Sequence, residues 1–548
     1  MTTDGTTTGA ERGTDARRAA GRVARVLSGV LVLGLTGGVV ALAGTRPADE
    51  PGRVPADVVE VGATATTLVC PGPLQLPDET GSGDSAFRRV PVDPVESVTV
   101  ASTSTSGTVS LTPLAAPSQD LAGGAGVLRA PGAPVVVRAE PVDDLPVPVA
   151  GASASVVTEG DLRGLSAASC SRPGSDAWLV GGSTALESSA DLVVVNPGAT
   201  AADVTVEVWG PSGPVDLAGG ASVLVAPGEQ RTVVLPGVAA EQRRLVVHVA
   251  SAGGQVTAYL QDSLLDGFTP RGTDLVTAGS APATTQVVPG IAVSESGVDS
   301  VDAGALRLMA PDADGTVSVR LLGAGGDVAL PGAEAVDLAA GEVTDVSLGG
   351  LAAGTYTAVV EADVPVVASA MITRTGTPGE LDEQPRLERA WAAATPSGSG
   401  VAAVPQGTAA TLALGAVPTG RTPTPEPSVT PTPEPTQGQV PDPTEDTEPQ
   451  GPSVTVTVRG YGADGLVGEE QVPVGVGSTV AFPVASLGDG VLGVEVLTGD
   501  DPQADVAWAV VASVGRPDGR LVSVLQPLVE TDAVTGAEVR AGRRLGVG

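Results

Sequence analysis

Two acidic clusters are the closest approach to metal-binding chemistry in this 548-residue chain. Asp312 and Asp314 lie on a predicted turn that ends in Gly315, and carboxylates on a turn are typical ligands of calcium. The turn lacks the additional acidic ligands and the distal Glu of an EF-hand loop. An ordinary Asp/Gly turn is the alternative. A second cluster consists of Asp500, Asp501 and Asp505.

Nucleophilic catalysis needs a base beside a nucleophile. The only histidine, His248, lies between Val247 and Val249 in an apparent strand, a pattern typical of a structural residue. The sequence has no lysine and no Gly-x-Ser-x-Gly motif. A glycosidase pair could come from the 63 acidic residues, but aromatic side chains, which usually hold sugars, make up only 2%. We therefore expect no enzyme, with a hydrolase of unrecognised type as the alternative.

The two cysteines, Cys70 and Cys170, form an even set in a chain that carries an apparent export segment. This combination indicates one disulfide. Closing a loop of this length would contribute about 4 to 5 kcal/mol in the chain-entropy model. Two buried free thiols are the alternative, while a metal site at these cysteines would lack partner ligands.

The apparent export segment, residues 26–45, is uncharged and mostly apolar, and it lies between Arg25 and Arg46. As a helix it would be about 30 Å long, enough to span a bilayer. The tail 1–25 is rich in arginine, which predicts a cytoplasmic N-terminus and an extracytoplasmic bulk. The alternative is secretion after cleavage near Ala43. The net charge of −34 argues against binding to nucleic acid.

A repeat of roughly 105 residues organises the rest of the chain. We place repeats at 55–175 (divergent), 176–284, 285–388 and 389–530, followed by a tail at 531–548. Alternation such as Val206 and Val208 with Thr205 and Glu207 predicts strands with one buried face. The expected fold is all-β, as tandem immunoglobulin-like antiparallel β-sandwiches after one transmembrane helix. A β-propeller or another β-repeat is the alternative.

The last repeat is interrupted by residues 418–452, which are rich in Pro, Thr and Glu. Composition alone would place a domain boundary there, but the repeat register predicts that 410–414 and 454–459 belong to one domain. A long loop costs little because closure entropy rises only logarithmically with length. We expect it to be extended and disordered.

Aromatic residues recur at apparently matched positions of the repeats, Trp178 with Trp391 and Trp209 with Tyr461. Packing in cores or at sheet edges is the expected role, and stacking on carbohydrate is the alternative. In the divergent copy, residues 67–71 align with the strand that ends in Asn196-Pro197.

The arginine-flanked apolar segment, the Cys70–Pro73 motif, Trp178 and the Asn196-Pro197 pair together resemble a family of uncharacterised actinobacterial proteins, secreted or membrane-anchored. The resemblance implies a cell-envelope location and association with envelope polysaccharide synthesis, and it implies no catalytic residues. We therefore expect a non-catalytic extracytoplasmic scaffold or binding protein whose partner is an envelope protein or polysaccharide. The alternative is an accessory subunit of a membrane glycosyltransferase or of an envelope polysaccharide export or assembly complex.

Overall fold

The computed structural model describes residues 57–60, 63–75, 87, 92–379, 384–420, 451–499, 501–529 and 536–539. The predicted membrane segment 26–45, the tail 1–25, Asp500 and residues 421–450 of the predicted loop lie outside this part of the chain, as does most of 531–548. No helix among the described residues is long and apolar enough to cross a membrane. The chain divides into two compact units, one of residues 62–533 and one of the two termini.

The described residues form 36 strands and three helical turns, so the prediction of an all-β protein is confirmed. In the terminal unit, β1 (Asp57–Glu60) pairs antiparallel with β36 (Gly536–Val539). The first repeat of the main unit contains β2 (Thr66–Cys70), β3 (Val95–Ser102), β4 (Val109–Pro113), β5 (Gln119–Leu121), β6 (Gly126–Arg129), β7 (Val135–Ala139), β8 (Val149–Val157) and β9 (Gly164–Ser169). The second contains β10 (Asp176–Val180), β11 (Ser188–Val195), β12 (Ala202–Gly210), β13 (Gly213–Val215), β14 (Ser222–Val225), β15 (Gln230–Val234), β16 (Val246–Ala252), β17 (Thr257–Asp266) and β18 (Thr269–Gly279).

The third repeat contains β19 (Ala283–Val293), β20 (Ala305–Met309), β21 (Gly315–Gly323), β22 (Gly326–Val328), β23 (Val336–Leu338), β24 (Thr344–Ser347), β25 (Gly354–Thr375) and β26 (Leu387–Ala393). The fourth contains β27 (Gly400–Ala403), β28 (Ala409–Pro418), β29 (Ser453–Gly462), β30 (Gly465–Gly475), β31 (Thr479–Pro483), β32 (Gly493–Thr498), β33 (Ala504–Arg516), β34 (Gly519–Leu525) and β35 (Leu528–Val529). The helical turns are Ala122–Gly124, Leu235–Val238 and Val484–Leu487.

The strand pattern follows from the alternation of residue types. In β12, Val204, Val206 and Val208 are buried, whereas Thr205 and Glu207 are exposed. Because successive side chains of a strand point to opposite faces, this sequence buries one face and leaves the other in water. The strands pair antiparallel throughout the main unit, with short turns between most neighbours.

All four repeats have the same antiparallel pairing. One sheet has the strand order β6-β3-β8-β9 in the first repeat, β15-β11-β17-β18 in the second, β24-β20-β25-β26 in the third and β31-β28-β33-β34 in the fourth. The remaining strands form a second set of pairings, built around β7, β16, the first half of β25 and β32. Each repeat is thus one structural unit, used four times.

The last strand of each four-stranded sheet faces the last strands of its neighbours. β9 contacts β18, β18 contacts β26, β26 contacts β34, and β34 returns to β9. We call β9, β18, β26 and β34 the inner strands. The four sheets therefore surround one axis in a four-bladed, propeller-like arrangement. A closed ring of sheets around one axis is the arrangement expected of a β-propeller, the alternative given by the sequence.

The interrupted repeat has one continuous core. Leu412 and Leu414 of β28 pack in the same buried cluster as Val456 and Val458 of β29, although these strands flank the Pro/Thr/Glu segment. Trp508 of β33 is fully buried in that cluster. The hydrophobic core therefore joins residues on both sides of 418–452.

Candidate functional site

The axis enclosed by the inner strands is lined with buried polar and charged side chains. Each inner strand pairs fully with only one partner, β8, β17, β25 or β33. Its other edge carries backbone N–H and C=O groups that need partners, because unpaired buried backbone groups are costly. The side chains along the axis supply them.

Asp274 on β18 joins three inner strands. Its Oδ2 accepts a hydrogen bond from the Trp391 backbone N–H of β26 at 2.8 Å, and its Oδ1 accepts one from the Ser523 hydroxyl of β34 at 2.7 Å. Ser523 also accepts from the Ala167 N–H of β9 at 3.2 Å and lies 2.8 Å from the Ala167 carbonyl oxygen. This pair of side chains therefore connects β9, at the end of the first repeat, to the second and fourth repeats.

Glu388 on β26 makes the corresponding connection on the third repeat. Its Oε1 accepts a hydrogen bond from the Leu165 N–H of β9 at 2.8 Å and a longer one from the Val522 N–H of β34 at 3.4 Å. Its Oε2 lies 3.8 Å from Nη1 of Arg163. The Glu388 side chain is 1% exposed, so this carboxyl group serves the inner edges of two strands with almost no contact with water.

A third buried carboxyl group, that of Asp262, contacts an arginine and an indole. Asp262 on β17 lies 3.0 Å from Nη2 of Arg389 and accepts a hydrogen bond from Nε1 of Trp391 at 2.8 Å. Asp262 lies opposite Asp274 in the β17–β18 hairpin. The guanidinium of Arg307 lies over the Trp391 ring, 4.9 Å from the ring centroid. Trp391 is thus held by polar contacts and is 3% exposed.

An arginine–carboxylate group occupies the end of the axis where the hairpins turn. Asp518, in the β33–β34 turn, accepts hydrogen bonds from Nε of Arg163 and Nη1 of Arg386, both at 2.8 Å. Burial alone would raise the pKa of Asp518, but these two guanidinium groups hold it below its ordinary value. The turns of three repeats therefore meet in one ionic contact.

For the carboxyl groups that lie deeper in the axis, burial raises the pKa. Loss of water raises the pKa of Glu388 from 4.5 to about 8, against the lowering effect of the Leu165 N–H and Arg163. Burial also raises the pKa of Asp274 well above its usual range, opposed by the bonds from Ser523 and Trp391 and reinforced by Asp262. For both groups burial therefore favours the protonated, uncharged form, which reduces the charge inside the axis.

The chemistry available to this arrangement is hydrogen bonding and ion pairing between strands. Asp262, Asp274 and Glu388 are each 1% exposed, and Arg163 is 2% exposed. The carboxyl oxygens that are hydrogen-bonded or ion-paired face backbone donors, a hydroxyl, an indole or an arginine of the neighbouring strands. We conclude that the axis closes the ring of repeats.

These axial residues are not among the candidates predicted from the sequence, although one signal is present. Asp262 and Asp274 lie in the middle of strands whose other central residues are apolar or neutral, and Glu388-Arg389 lies between Leu387 and the apolar run 390–394. Charged residues inside strands that are buried on both faces indicate a paired, structural or functional position. Their convergence on one axis depends on contacts between repeats, which the pattern within a single repeat does not contain.

The structure places the proposed calcium ligands on the surface. Asp312 and Asp314 are exposed, and Oδ1 of Asp314 accepts a hydrogen bond from the Ala340 N–H at 2.8 Å. In the second cluster, Oδ1 of Asp501 accepts one from the Gln503 N–H at 2.7 Å. Among the described residues, no group of three or more His, Cys, Asp or Glu side chains is arranged to hold a metal ion.

His248 lies on β16 between two carboxylates. Its Nδ1 is 2.9 Å from Glu207 and its Nε2 is 2.7 Å from Asp176. One face of the imidazole stacks on Trp178 at 4.3 Å between centroids, and Trp178 stacks in turn on Trp209 at 5.5 Å. This aromatic group packs with apolar residues of the third repeat, so it forms part of the seam between two repeats.

The proposed match of aromatic residues holds for one pair only. Trp209 and Tyr461 lie at the same end of equivalent strands, β12 and β29. Trp178 lies on the first strand of its repeat, whereas Trp391 lies on an inner strand, so that match is wrong. The alignment of residues 67–71 with the strand ending at Asn196 is also wrong, because β2 pairs with β7 as β10 pairs with β16.

A pocket of about 120 Å³ lies at the other end of the axis, where three repeats meet. It is bordered by Ser169 at the end of β9, Thr277 near the end of β18 and Gln526 after β34. The disulfide between Cys70 and Cys170 lies beside it, in the pairing expected from the cysteine count. The Tyr259 side chain forms another part of the wall, and its hydroxyl accepts a hydrogen bond from the Gly72 N–H at 3.2 Å.

Comparison with known proteins gives one match. The model of a family of unknown function, DUF5719, matches residues 127–485, which run from β6 in the first repeat to the helical turn before β32 in the fourth. The matched segment includes Asp262, Asp274 and Glu388. No curated protein and no solved structure matches the chain.

Proposed function

The chain belongs to the DUF5719 family of unknown function, and from this premise we propose that it is a non-catalytic extracytoplasmic scaffold or binding protein of the cell envelope. The observation that carries the proposal is the joining of the first and fourth repeats. The Ala167 N–H and Ser523 hydroxyl, 356 residues apart in the chain, are hydrogen-bonded across the axis. A closed ring holds the loops of all four repeats in fixed relation, which favours binding by pre-organised surfaces.

The use of the buried acids supports a structural role for the axis. A catalytic acid must reach its substrate, whereas Oε1 of Glu388 and Oδ2 of Asp274 accept from backbone N–H groups of neighbouring strands. Substrate would have to displace these contacts and open the ring. The exposed loops at the ends of the repeats are therefore the surfaces that we assign to binding.

Several features support an extracytoplasmic location. The Cys70–Cys170 disulfide links β2 to the segment after β9 and is of the kind that persists in oxidising compartments. The apolar segment 26–45 with arginines before it is typical of an export signal or anchor. In this proposal the segment is retained as a single-pass anchor, and secretion after cleavage near Ala43 is the alternative.

We also propose that each repeat is an immunoglobulin-like sandwich. The support is the division of its strands into two antiparallel sets, with the buried faces of both sets in one core. In the second repeat, Leu192 of β11 and Val206 of β12 share such a core although their strands belong to different sets.

Photocrosslinking from intact cells tests the proposed role. A photoreactive residue would replace Leu186, which is 89% exposed, or Val301, which is 97% exposed. The fully buried Leu192 is the matched internal control. We expect crosslinks to an envelope protein or polysaccharide from an exposed position and none from the control.

Protease treatment of cells stripped of their outer layers tests the location in the same samples. The proposal requires that the main unit be digested from outside, or be found in the medium. Protection of the main unit in the cytoplasm would overturn it. Crosslinking exclusively to a membrane glycosyltransferase or export complex would replace the scaffold role with that of an accessory subunit.

A further inference from the structure

Two arginines lie close together at the end of the axis where the hairpins turn. Arg374 is the next-to-last residue of β25, and Arg520 is the second residue of β34. The chain segments beside them are in close contact, since a Cβ at Gly519 would lie 2.9 Å from Cα of Gly376. Partial burial lowers the pKa of Arg374, and the neighbouring charge of Arg520 lowers it further. The two guanidinium groups are therefore near enough to repel each other.

Both side chains lie at the edge of the seam between the third and fourth repeats. Ile372 lies two residues before Arg374, and Val522 lies two residues after Arg520. Ile372 and Val522 belong to one buried cluster that joins the two repeats. Because side chains two residues apart in a strand share a face, the arginines continue this face towards the solvent. Arg374 is half-buried and Arg520 is exposed.

The orientation of Arg374 is fixed, but part of its donor capacity is unused. Its Nη1 donates to Oγ of Ser294 at 2.8 Å and to the Thr373 carbonyl oxygen at 3.1 Å. Its Nε and Nη2 make no hydrogen bond with the described residues, and neither atom is sealed from solvent. Arg520 makes no hydrogen bond or ion pair within the same part of the chain. Donors of both arginines are thus available to a ligand from solution.

The acidic groups nearby do not neutralise this pair. Asp518 is engaged by Arg163 and Arg386, both at 2.8 Å. Glu388 lies opposite Arg374 in the β25–β26 pairing, but burial raises its pKa to about 8, so the uncharged form is favoured at neutral pH.

This shortage of acids at one place contrasts with the whole chain, which has 63 acidic and 29 basic residues. Two like charges held together without a counter-charge are unfavourable. An anion between them would remove the repulsion and accept hydrogen bonds from both guanidinium groups, which match the oxygens of a phosphate in geometry.

We infer that Arg374 and Arg520 form a binding site for a phosphate group. Two arginines match the two negative charges that a phosphate can carry, whereas a carboxylate would neutralise only one. The net charge of −34 disfavours an extended anionic surface such as a membrane and favours a single compact anion. The inference goes beyond the scaffold role, because it assigns a ligand chemistry to a defined place on the ring.

Titration calorimetry with the full chain and inorganic phosphate, at constant ionic strength, tests the site. Wild-type protein should give saturable binding. Arg374→Gln and Arg520→Gln should each weaken it by at least about tenfold, because each removes a charge and its hydrogen bonds to the anion. Arg520 is exposed, so its variant tests the site even if Arg374→Gln does not fold. Circular dichroism establishes the folding of each variant.

Arg516→Gln is the matched control. Arg516 is an exposed arginine of the same hairpin, and its side chain lies on the opposite face from Arg520, because Arg516 pairs with Gly519 and Arg520 with Gly515. This variant should bind phosphate as the wild type does. Acetate, with a single charge, should bind the wild type at least about tenfold more weakly than phosphate.

Two further arms identify the source of the anion. Vesicles of phosphatidylglycerol present phosphate on an extended anionic surface, and sedimentation with them should show no binding. The turn before β26 contains Glu380, Asp382 and Glu383, which lie outside the described residues. Changing these three to Gln, Asn and Gln should leave the affinity for phosphate within about twofold of the wild type.

Four results would overturn the inference. They are no saturable heat with phosphate in the wild type, equal weakening by Arg516→Gln and Arg520→Gln, equal affinity for acetate, and binding to vesicles that Arg520→Gln abolishes. Phosphate binding that appears only after the three acids are neutralised would also overturn it, because the arginines would then have their partner within the chain.

Discussion

The protonation of Glu388 predicts that the ring becomes less stable as the solution becomes more alkaline. The unfolded chain releases this proton near pH 4.5, whereas the folded ring retains it up to about pH 8. Between these values the folded state binds more protons, so the stabilisation is complete below pH 4.5 and is lost as pH rises towards 8. The difference of the two pKa values corresponds to about 5 kcal/mol at most.

Glu388→Gln is the variant that isolates this effect. Its amide oxygen can still accept from the Leu165 N–H, but the side chain carries no proton to lose. Urea unfolding followed by circular dichroism, from pH 5 to pH 9, should show the wild type losing stability relative to the variant as pH rises. Glu342→Gln changes an exposed glutamate and serves as the control. Parallel pH profiles for the wild type and Glu388→Gln would refute the argument that burial sets the protonation of the axis.

Three further changes test how the ring and its repeats hold together. Ser523→Ala should lower the free energy of unfolding by about 1 to 3 kcal/mol, because buried partners on two inner strands are left unpaired; thermal unfolding measures this, and an unchanged midpoint would contradict it. Gly164→Ala should lower the melting temperature, because the new Cβ would lie 2.6 Å from the Thr273 carbonyl oxygen. Gly237→Ala, where the new Cβ would meet open space, is the control. Equal melting temperatures for the two variants would contradict the close approach at Gly164. Limited proteolysis within 418–452 should leave two fragments that co-elute on size exclusion, because β28 and β29 share a core, and separate elution would contradict that core.

The local part of the fold could be predicted from the sequence. Alternation in β12, with Val204, Val206 and Val208 inward, fixes which face of the strand is buried. The repeat register also placed β28 and β29 in one unit in spite of the Pro/Thr/Glu segment between them. Predictions of this kind depend on residues close in sequence or on a pattern repeated in the chain.

The closure of the ring could not be predicted in the same way. It depends on single polar side chains, such as Ser523 meeting the Ala167 N–H of the first repeat. Ser523 has no motif around it, and a serine in a strand is otherwise unremarkable. The matching of Trp178 with Trp391 failed for a related reason: periodicity shows that a tryptophan recurs but not which strand carries it.

The most direct test of the closed ring is the exchange rate of the Leu165 and Ala167 amides of β9. Hydrogen–deuterium exchange with residue-level mass spectrometry would measure it in the wild type and in Ser523→Ala. If the ring is closed, both amides exchange slowly, and the Ala167 amide exchanges faster in the variant. If the repeats are instead independent units in a row, the edge of β9 that does not pair with β8 faces water. Both amides then exchange rapidly, and Ser523→Ala makes no difference.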